Sequence, residues 1–428
     1  MKILIKNVNA VLPDGCSDSV KQTNICIDGQ NISSVGNIPS DFMPDKTIDG
    51  KDLLAIPGLI NCHTHSYMSF MRNAADDLSF GDWLFGRIDP IEQKMTDEDA
   101  YWGACLAITE MLKTGTTCFN DMQMNIMQTT RAVEESGIRA VICRGLVGSG
   151  NDEGGQRRID EALKEKEAFK KCDRLSFLLG PHAPYTCDEE YLKKIVGVAK
   201  DNNMGIHMHL SESTTEIENC MKDYGCSPIE LAERCGLFSL PFIAAHCVQV
   251  DEKDIDIMKK NNVSMVTNPA SNMKLGNGFA PLNSMLEKGI NICIGTDGAA
   301  SNNALNMFHE MNLTALIHKG VSRSSQCISA ADIFKMATIN GANALSLGSE
   351  IGSIEVGKKA DIVLLDTKCP SMWPTNNLIA SLSYSANGSE TNTVIVNGEI
   401  VVENRQLLTM DEERIYFETN KIMERICK

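Results

Sequence analysis

Nowhere in this chain do more than two lysines or arginines stand together, and acidic residues outnumber basic ones 56 to 40, for a formal net charge of −16. A protein that holds the phosphate backbone of a duplex carries a basic patch, so this balance argues against nucleic-acid binding. No apolar run reaches the roughly 18–20 residues that span a bilayer, which argues against a membrane protein. The sixteen cysteines include no CxxC pair and no framework spacing. The opening Met1-Lys2-Ile3-Leu4-Ile5-Lys6-Asn7 lacks the pattern of a secretory leader. Reduced thiols in a cytoplasmic protein are therefore expected. The acidic surplus favours solubility and says little about a substrate.

What the sequence does have is material for a large core. Of its 428 residues, 43% are hydrophobic and 22% charged, which suits one large domain with a smaller one. Both ends are β-rich: Ile3-Leu4-Ile5, Ala10-Val11-Leu12 and Asn24 to Ile27 at one, Asp361 to Asp366, Thr393 to Val396 and Ile400 to Val402 at the other. Neither end is large enough to bury a core alone, so residues 1–55 and 355–428 are expected to build one β-sandwich together. Between them, over 56–354, eight apolar runs alternate with helical stretches such as Asp99 to Lys113 and Glu189 to Asn202. That alternation predicts a (β/α)₈ barrel. A doubly wound sheet would want a glycine-rich phosphate loop after its first strand, and none is present.

Polar residues fall at the ends of those runs. His63 and His65 close the first, at Ile60-Asn61-Cys62-His63-Thr64-His65, and their i, i+2 spacing turns both imidazoles to one side of a strand. His182 ends the fourth, His209 the fifth, His246 the sixth and Asp297 the eighth. In a barrel the carboxyl ends of the strands form the catalytic face, so these groups converge at one mouth. A catalytic zinc site takes His and carboxylate ligands and keeps one position for water. His63, His65, His209 and Asp297 are assigned as ligands of one divalent ion, read as Zn²⁺ from ligand type, although iron or manganese suits the same donors. His207 shares a face with His209 and competes for that role. His209 is preferred because Glu212 follows it, placing a carboxylate beyond the ligand as a general acid/base; the alternative for Glu212 is a first-turn acid of the next helix. His246 is placed to stabilise a developing oxyanion. No lysine ends the fourth strand to bridge two metals, so one ion is expected.

Pro57-Gly58-Leu59-Ile60-Asn61-Cys62-His63-Thr64-His65, His209-x-x-Glu212, Ala245-His246-Cys247 and Gly295-Thr296-Asp297-Gly298 through Asn303 resemble the amidohydrolase superfamily. The whole chain is similar to its mononuclear 5′-methylthioadenosine/S-adenosylhomocysteine deaminases. The resemblance implies hydrolytic deamination at C6 of an adenine ring, with Glu212, His246 and Asp297 catalytic and Glu212 and Asp297 also touching substrate. It further implies that Glu92 takes a ribose diol through its two acceptor oxygens. His182 contacts the nucleoside, and Arg144 with Arg158 (or Arg157, one residue out of register) binds a homocysteine carboxylate. Trp83 is a candidate for stacking on the base or thioether. A small-molecule nucleoside, no nucleic-acid or membrane partner, and a homo-oligomer complete the expectation. Two alternatives stand: the same machinery acting on another heterocycle, such as guanine or a triazine, and a non-catalytic barrel scaffold. The intact set of six site residues speaks against the scaffold.

Overall fold

The computed structural model describes residues 1–14 and 17–427. The chain begins with Lys2–Asp14 (β1), Ser17–Asp28 (β2), Asn31–Val35 (β3), Lys46–Asp49 (β4) and Leu53–Pro57 (β5). Eight strands then follow one another: Leu59–Thr64 (β6), Thr116–Gln123 (β7), Arg139–Leu146 (β8), Leu175–Pro181 (β9), Ile206–Leu210 (β10), Phe242–His246 (β11), Ser264–Thr267 (β12) and Asn291–Ile294 (β13). Each lies parallel beside the next in sequence order. Four of them, β6, β7, β10 and β11, are buried along their whole length, as strands covered on both faces must be, and such strands read as largely apolar runs. The last strand returns to the first through the Asn61 amide, which donates to Thr296 Oγ1 (2.7 Å) and accepts from the Thr296 N–H (2.9 Å). The Asp297 N–H completes the closure on His63 O (2.9 Å). Ile60, Cys62, Val141, Ile243 and Val266 fill the barrel's interior below the mouth, where they pack with Ala342 and Leu345. Gly341 permits that close approach: a Cβ there would lie 2.8 Å from Cys62 Sγ.

The remaining strands are Ile362–Asp366 (β14), Thr391–Val396 (β15), Glu399–Glu403 (β16) and Gln406–Leu407 (β17). They join β1 to β5 in a nine-stranded mixed sheet. Ile3, Ile5, Ile25 and Ile27 from one end of the chain share a core with Ala360, Ile362, Leu364 and Ile395 from the other. Arg139, the first residue of β8, ties this sheet to the barrel. Its guanidinium donates to both oxygens of Asp361 (2.8 and 3.1 Å), while the Asn397 N–H donates to Asp361 Oδ1 (2.8 Å).

Two expected boundaries shift. The run from Ile56 to His65 is not one strand: β5 pairs antiparallel with β14 and belongs to the terminal sheet, so the barrel begins at Leu59. Gly58 makes the crossing, and a Cβ there would meet Thr117 Oγ1 at 1.9 Å. At the far boundary, Ile354 packs into the terminal core rather than the barrel. The described cysteines are all free. Among the described residues, no helix is long and apolar enough to cross a membrane.

Candidate active site

At the mouth the strands end in strained turns. Ser211, His246 and Asp297 follow or close β10, β11 and β13 with φ of +53°, +73° and +63°. A non-glycine residue in this left-handed region costs about 1–2 kcal/mol, and such costs concentrate where a side chain must be aimed. Here the turns direct Glu212, His246 and Asp297 at one point with His63, His65 and His209. Ligand atoms of His63, His65 and Asp297 lie within 4.8 Å of one another, as do those of His63, His209 and His246.

Hydrogen bonds fix which nitrogen of each ring is free. A carbonyl only accepts, so a ring nitrogen facing one must carry the proton. His65 Nδ1 faces Met122 O (2.8 Å) and His209 Nδ1 faces His182 O (2.8 Å). In the neutral state each ring therefore presents a lone pair at Nε2, and these two atoms stand only 3.2 Å apart. His63 reaches the same state through a relay. His207 Nδ1 donates to Ile243 O (3.2 Å), so its Nε2 accepts from His63 Nδ1 (2.8 Å). That leaves His63 Nε2 with a lone pair, buried and without a hydrogen-bond partner among the described residues. His207 thus lies one layer deeper than His209, with both ring nitrogens engaged, and orients the His63 ring. Three converging lone pairs repel unless a cation sits between them, and the donor set fits zinc. Burial pushes His63 down to about 4 and, with the neighbouring imidazoles, holds His209 well below its ordinary value. Both are therefore neutral and ready to ligate.

Asp297 supplies the negative charge. Its Oδ1 lies 3.3 Å from His65 Nε2 and 3.5 Å from His63 Nε2. Oδ2 accepts from Ser271 Oγ (2.6 Å). Burial alone would raise its pKa, but the surrounding imidazoles of His63, His65 and His246 outweigh burial and hold it well below the carboxylate range. Glu212 behaves oppositely: burial, reinforced by Asp297, raises it and favours the protonated acid. Its Oε1 accepts from Asn277 Nδ2 (2.9 Å), and Oε2 stands 3.8 Å from His246 Nε2. Burial works against a charged His246, yet the Glu212 and Asp297 carboxylates overcome it and raise its pKa. Two carboxyl groups pushed apart beside one imidazole make an acid/base pair.

These groups line one side of a cavity of about 310 Å³. Glu92 lines it too and accepts a hydrogen bond from the Tyr67 hydroxyl. His182 is present, its Nδ1 donating to Thr186 Oγ1 (3.0 Å). Trp83 forms part of the wall, with Nε1 donating to Ala300 O (3.2 Å). The arginines differ from expectation. Side chains alternate along β8, and Gly145 faces the cavity, so Arg144 points outward to the helix Glu153–Ala168. There its guanidinium forks between Glu165 (2.7 Å) and Glu161. Arg158 is not in the lining either: Nη1 donates to the carbonyl of Val147 (3.1 Å), at the rim. Arg157 is exposed beside Glu161 at 3.8 Å.

Several supporting residues escaped the sequence reading. Glu216 accepts the N–H groups of Ser211 and Glu212, 2.8 Å each, and fixes the turn that aims Glu212. Asn272 Oδ1 accepts from His246 Nδ1 (2.8 Å). Asp121 accepts from Thr64 Oγ1 (2.7 Å) and from the Ser66 N–H (2.8 Å), bracing the turn that carries His65. Asp121 ends its apolar run as the ligands do, and that position was the available signal. Nothing local marked Ser271, Asn272 or Asn277.

Comparison with known proteins gives a consistent picture. The amidohydrolase family profile matches residues 54–401. A 5-methylthioadenosine/S-adenosylhomocysteine deaminase of Thermoanaerobacter pseudethanolicus is 45% identical over 423 residues, covering 98% of each chain. One from Acetivibrio thermocellus is 44% identical over 436 residues, covering 100% of both. Among solved structures, an adenosine deaminase from Xanthomonas campestris with bound zinc superposes with a TM-score of 0.95 at 30% identity, covering 99% of this chain and 98% of its own. An atrazine chlorohydrolase from Arthrobacter aurescens, complexed with zinc, gives 0.91 at 25% identity over 98% of this chain and 100% of its own.

Proposed function

The chain belongs to the amidohydrolase family, and from that premise we propose that it deaminates the adenine ring of 5′-methylthioadenosine and S-adenosylhomocysteine to the inosine analogue and ammonia. The observation that carries this reading is the convergence of the His63, His65 and His209 lone pairs with Asp297, beside an acid, Glu212, in a cavity that also holds Glu92. His63, His65, His209 and Asp297 would hold one Zn²⁺. When bound, that ion supplies Lewis acidity and lowers the pKa of water to about 7.

The rest is the work of the side chains. Glu92 takes two ribose hydroxyls, which places the purine at the site. His182, with Nδ1 engaged by Thr186, keeps Nε2 as an acceptor for the nucleoside. Asp297, held by Ser271, accepts the proton of water as its oxygen bonds to C6. Glu212 delivers its proton to the adjacent ring nitrogen, and His246 stabilises the charge developing on the added oxygen. The C6–N bond then breaks: Asp297 passes its proton to the amino group, which leaves as ammonia, and the C6 hydroxyl proton returns to Glu212 as the carbonyl forms. We place the protein in the cytoplasm, a reading supported by its free thiols.

The test is ammonia release and purine absorbance change with purified protein over methylthioadenosine, S-adenosylhomocysteine, adenosine and guanine. Turnover of an adenine nucleoside is expected. Activity on guanine alone would sink the assignment.

A further inference from the structure

Resting on the adenine-nucleoside reading, we infer that Tyr67 is a positioning residue: acting through Glu92, it sets the site's preference for a ribonucleoside over one that lacks the 2′ and 3′ hydroxyls. Glu92 lines the cavity with no cation to hold it, since among the described residues no lysine or arginine is in that lining. The hydrogen bond that reaches its carboxyl comes from the Tyr67 hydroxyl, on Oε1. A carboxylate with one such anchor takes its orientation from it.

Tyr67 is itself held firmly. It lies in the short helix Ser66–Met71, just beyond His65, and is buried. The helix Asp97–Lys113 presses on its backbone, where a Cβ at Gly103 would lie 2.2 Å from Tyr67 O. From the end of β7, the Met124 N–H donates to the Tyr67 hydroxyl oxygen (3.4 Å). With that oxygen accepting from the backbone, the phenol proton is directed at Glu92. Oε1 is thereby engaged, which leaves Oε2 and the spare lone pair of Oε1 for two vicinal hydroxyls. Burial pushes the Glu92 carboxyl up, and the Tyr67 hydrogen bond works against it, favouring the ionised form that only accepts. Without the phenol oxygen the carboxyl is free to turn or to take up a proton, and either change removes an acceptor from the ribose. A substrate without the two hydroxyls makes no use of that acceptor and should not register the loss.

Tyr67→Phe removes the oxygen and keeps the ring. The test compares 5′-methylthioadenosine with its 2′,3′-dideoxy analogue, in wild-type protein and the variant at matched metal content. For the ribonucleoside, kcat/KM should fall about tenfold or more, the scale of one hydrogen bond to a charged group. The change should sit in KM, with kcat retained, because the contact is made in ground state and transition state alike. The dideoxy compound should be unaffected. Loss by the same factor on both compounds would reduce Tyr67 to a packing role and overturn the inference, as would no loss on either. In a Glu92→Gln background, adding Tyr67→Phe should remove no further ribose preference; a further loss of similar size would contradict action through Glu92. Dissociation constants measured in parallel separate this claim from the reaction itself. If wild-type protein binds the ribonucleoside more tightly without deaminating it, and Tyr67→Phe erases that preference, the proposed reaction fails and the role of Tyr67 stands. Wild-type protein with no preference for the ribonucleoside would overturn the role of Tyr67.

Discussion

Two buried polar clusters sit at opposite ends of the barrel, and they solve the same problem in opposite ways. At the bottom, Arg139 and Asp361 are 2% and 1% exposed and satisfy each other through two hydrogen bonds, with Asn397 adding a third contact to the carboxylate. Charge and geometry close within the protein. At the mouth, the buried His63 and His209 and the half-buried His65 turn lone pairs toward one another, His65 and His209 across 3.2 Å, and His63 Nε2 has no partner among the described residues. That cluster is complete only with a cation from outside. Imidazole lone pairs turned on one another at the mouth suit that cluster to binding, while the closed Arg139–Asp361 pair at the other end suits that one to stability.

The contrast can be broken at several points. Glu212→Gln should lower kcat by ~10²–10⁴-fold, the usual range for a general acid. Thermal unfolding should barely move, so steady-state kinetics beside a melting curve reads both. Asp361→Asn should do the reverse. It strands the Arg139 guanidinium in a buried setting and should cost ~3–5 kcal/mol by denaturant unfolding, with turnover per folded molecule retained. The double change Arg139→Met with Asp361→Leu should recover most of that loss, because an ion pair replaced whole by apolar groups is often neutral. His207→Ala sits between these two. It removes the relay that fixes the His63 tautomer and should weaken metal affinity ~10–100-fold, read by competition with a chromophoric chelator.

His318 supplies a third kind of burial, and the smallest effect per step. Burial pushes its pKa down to about 4. The unfolded chain takes up that proton near pH 6.5, whereas the folded protein resists until about 4, so stability is lost as pH falls through this window. The slope is at most about 1.4 kcal/mol per pH unit. His318→Leu should flatten it, which unfolding curves at stepped pH would show.

Much of this architecture was legible in the residues. All eight barrel strands were, because strands buried on both faces leave unbroken apolar runs bounded by turns. The gathering of His63, His65 and His209 at one mouth was, because they end those runs. What escaped depends on neighbours in space. Ile56 and Pro57 are as apolar as Leu59 and Ile60, and only the pairing of β5 with β14 assigns them to the other sheet. Ser271, Asn272 and Asn277 reach the site from segments whose positions tertiary packing sets. Arg144 was assigned its role by the resemblance, without regard to its alternation along the strand. With Gly145 facing in, its side chain had to face out, and Glu161 and Glu165 wait for it on the covering helix.

The claim that the mouth is incomplete without a cation is tested most directly by elemental analysis of the purified protein, paired with thermal unfolding before and after chelation. The expected result is one transition-metal ion per chain, most of it zinc, and a melting temperature that falls on removal and returns when zinc is restored. Metal-free protein with the same melting temperature, unchanged by added zinc, would contradict the account.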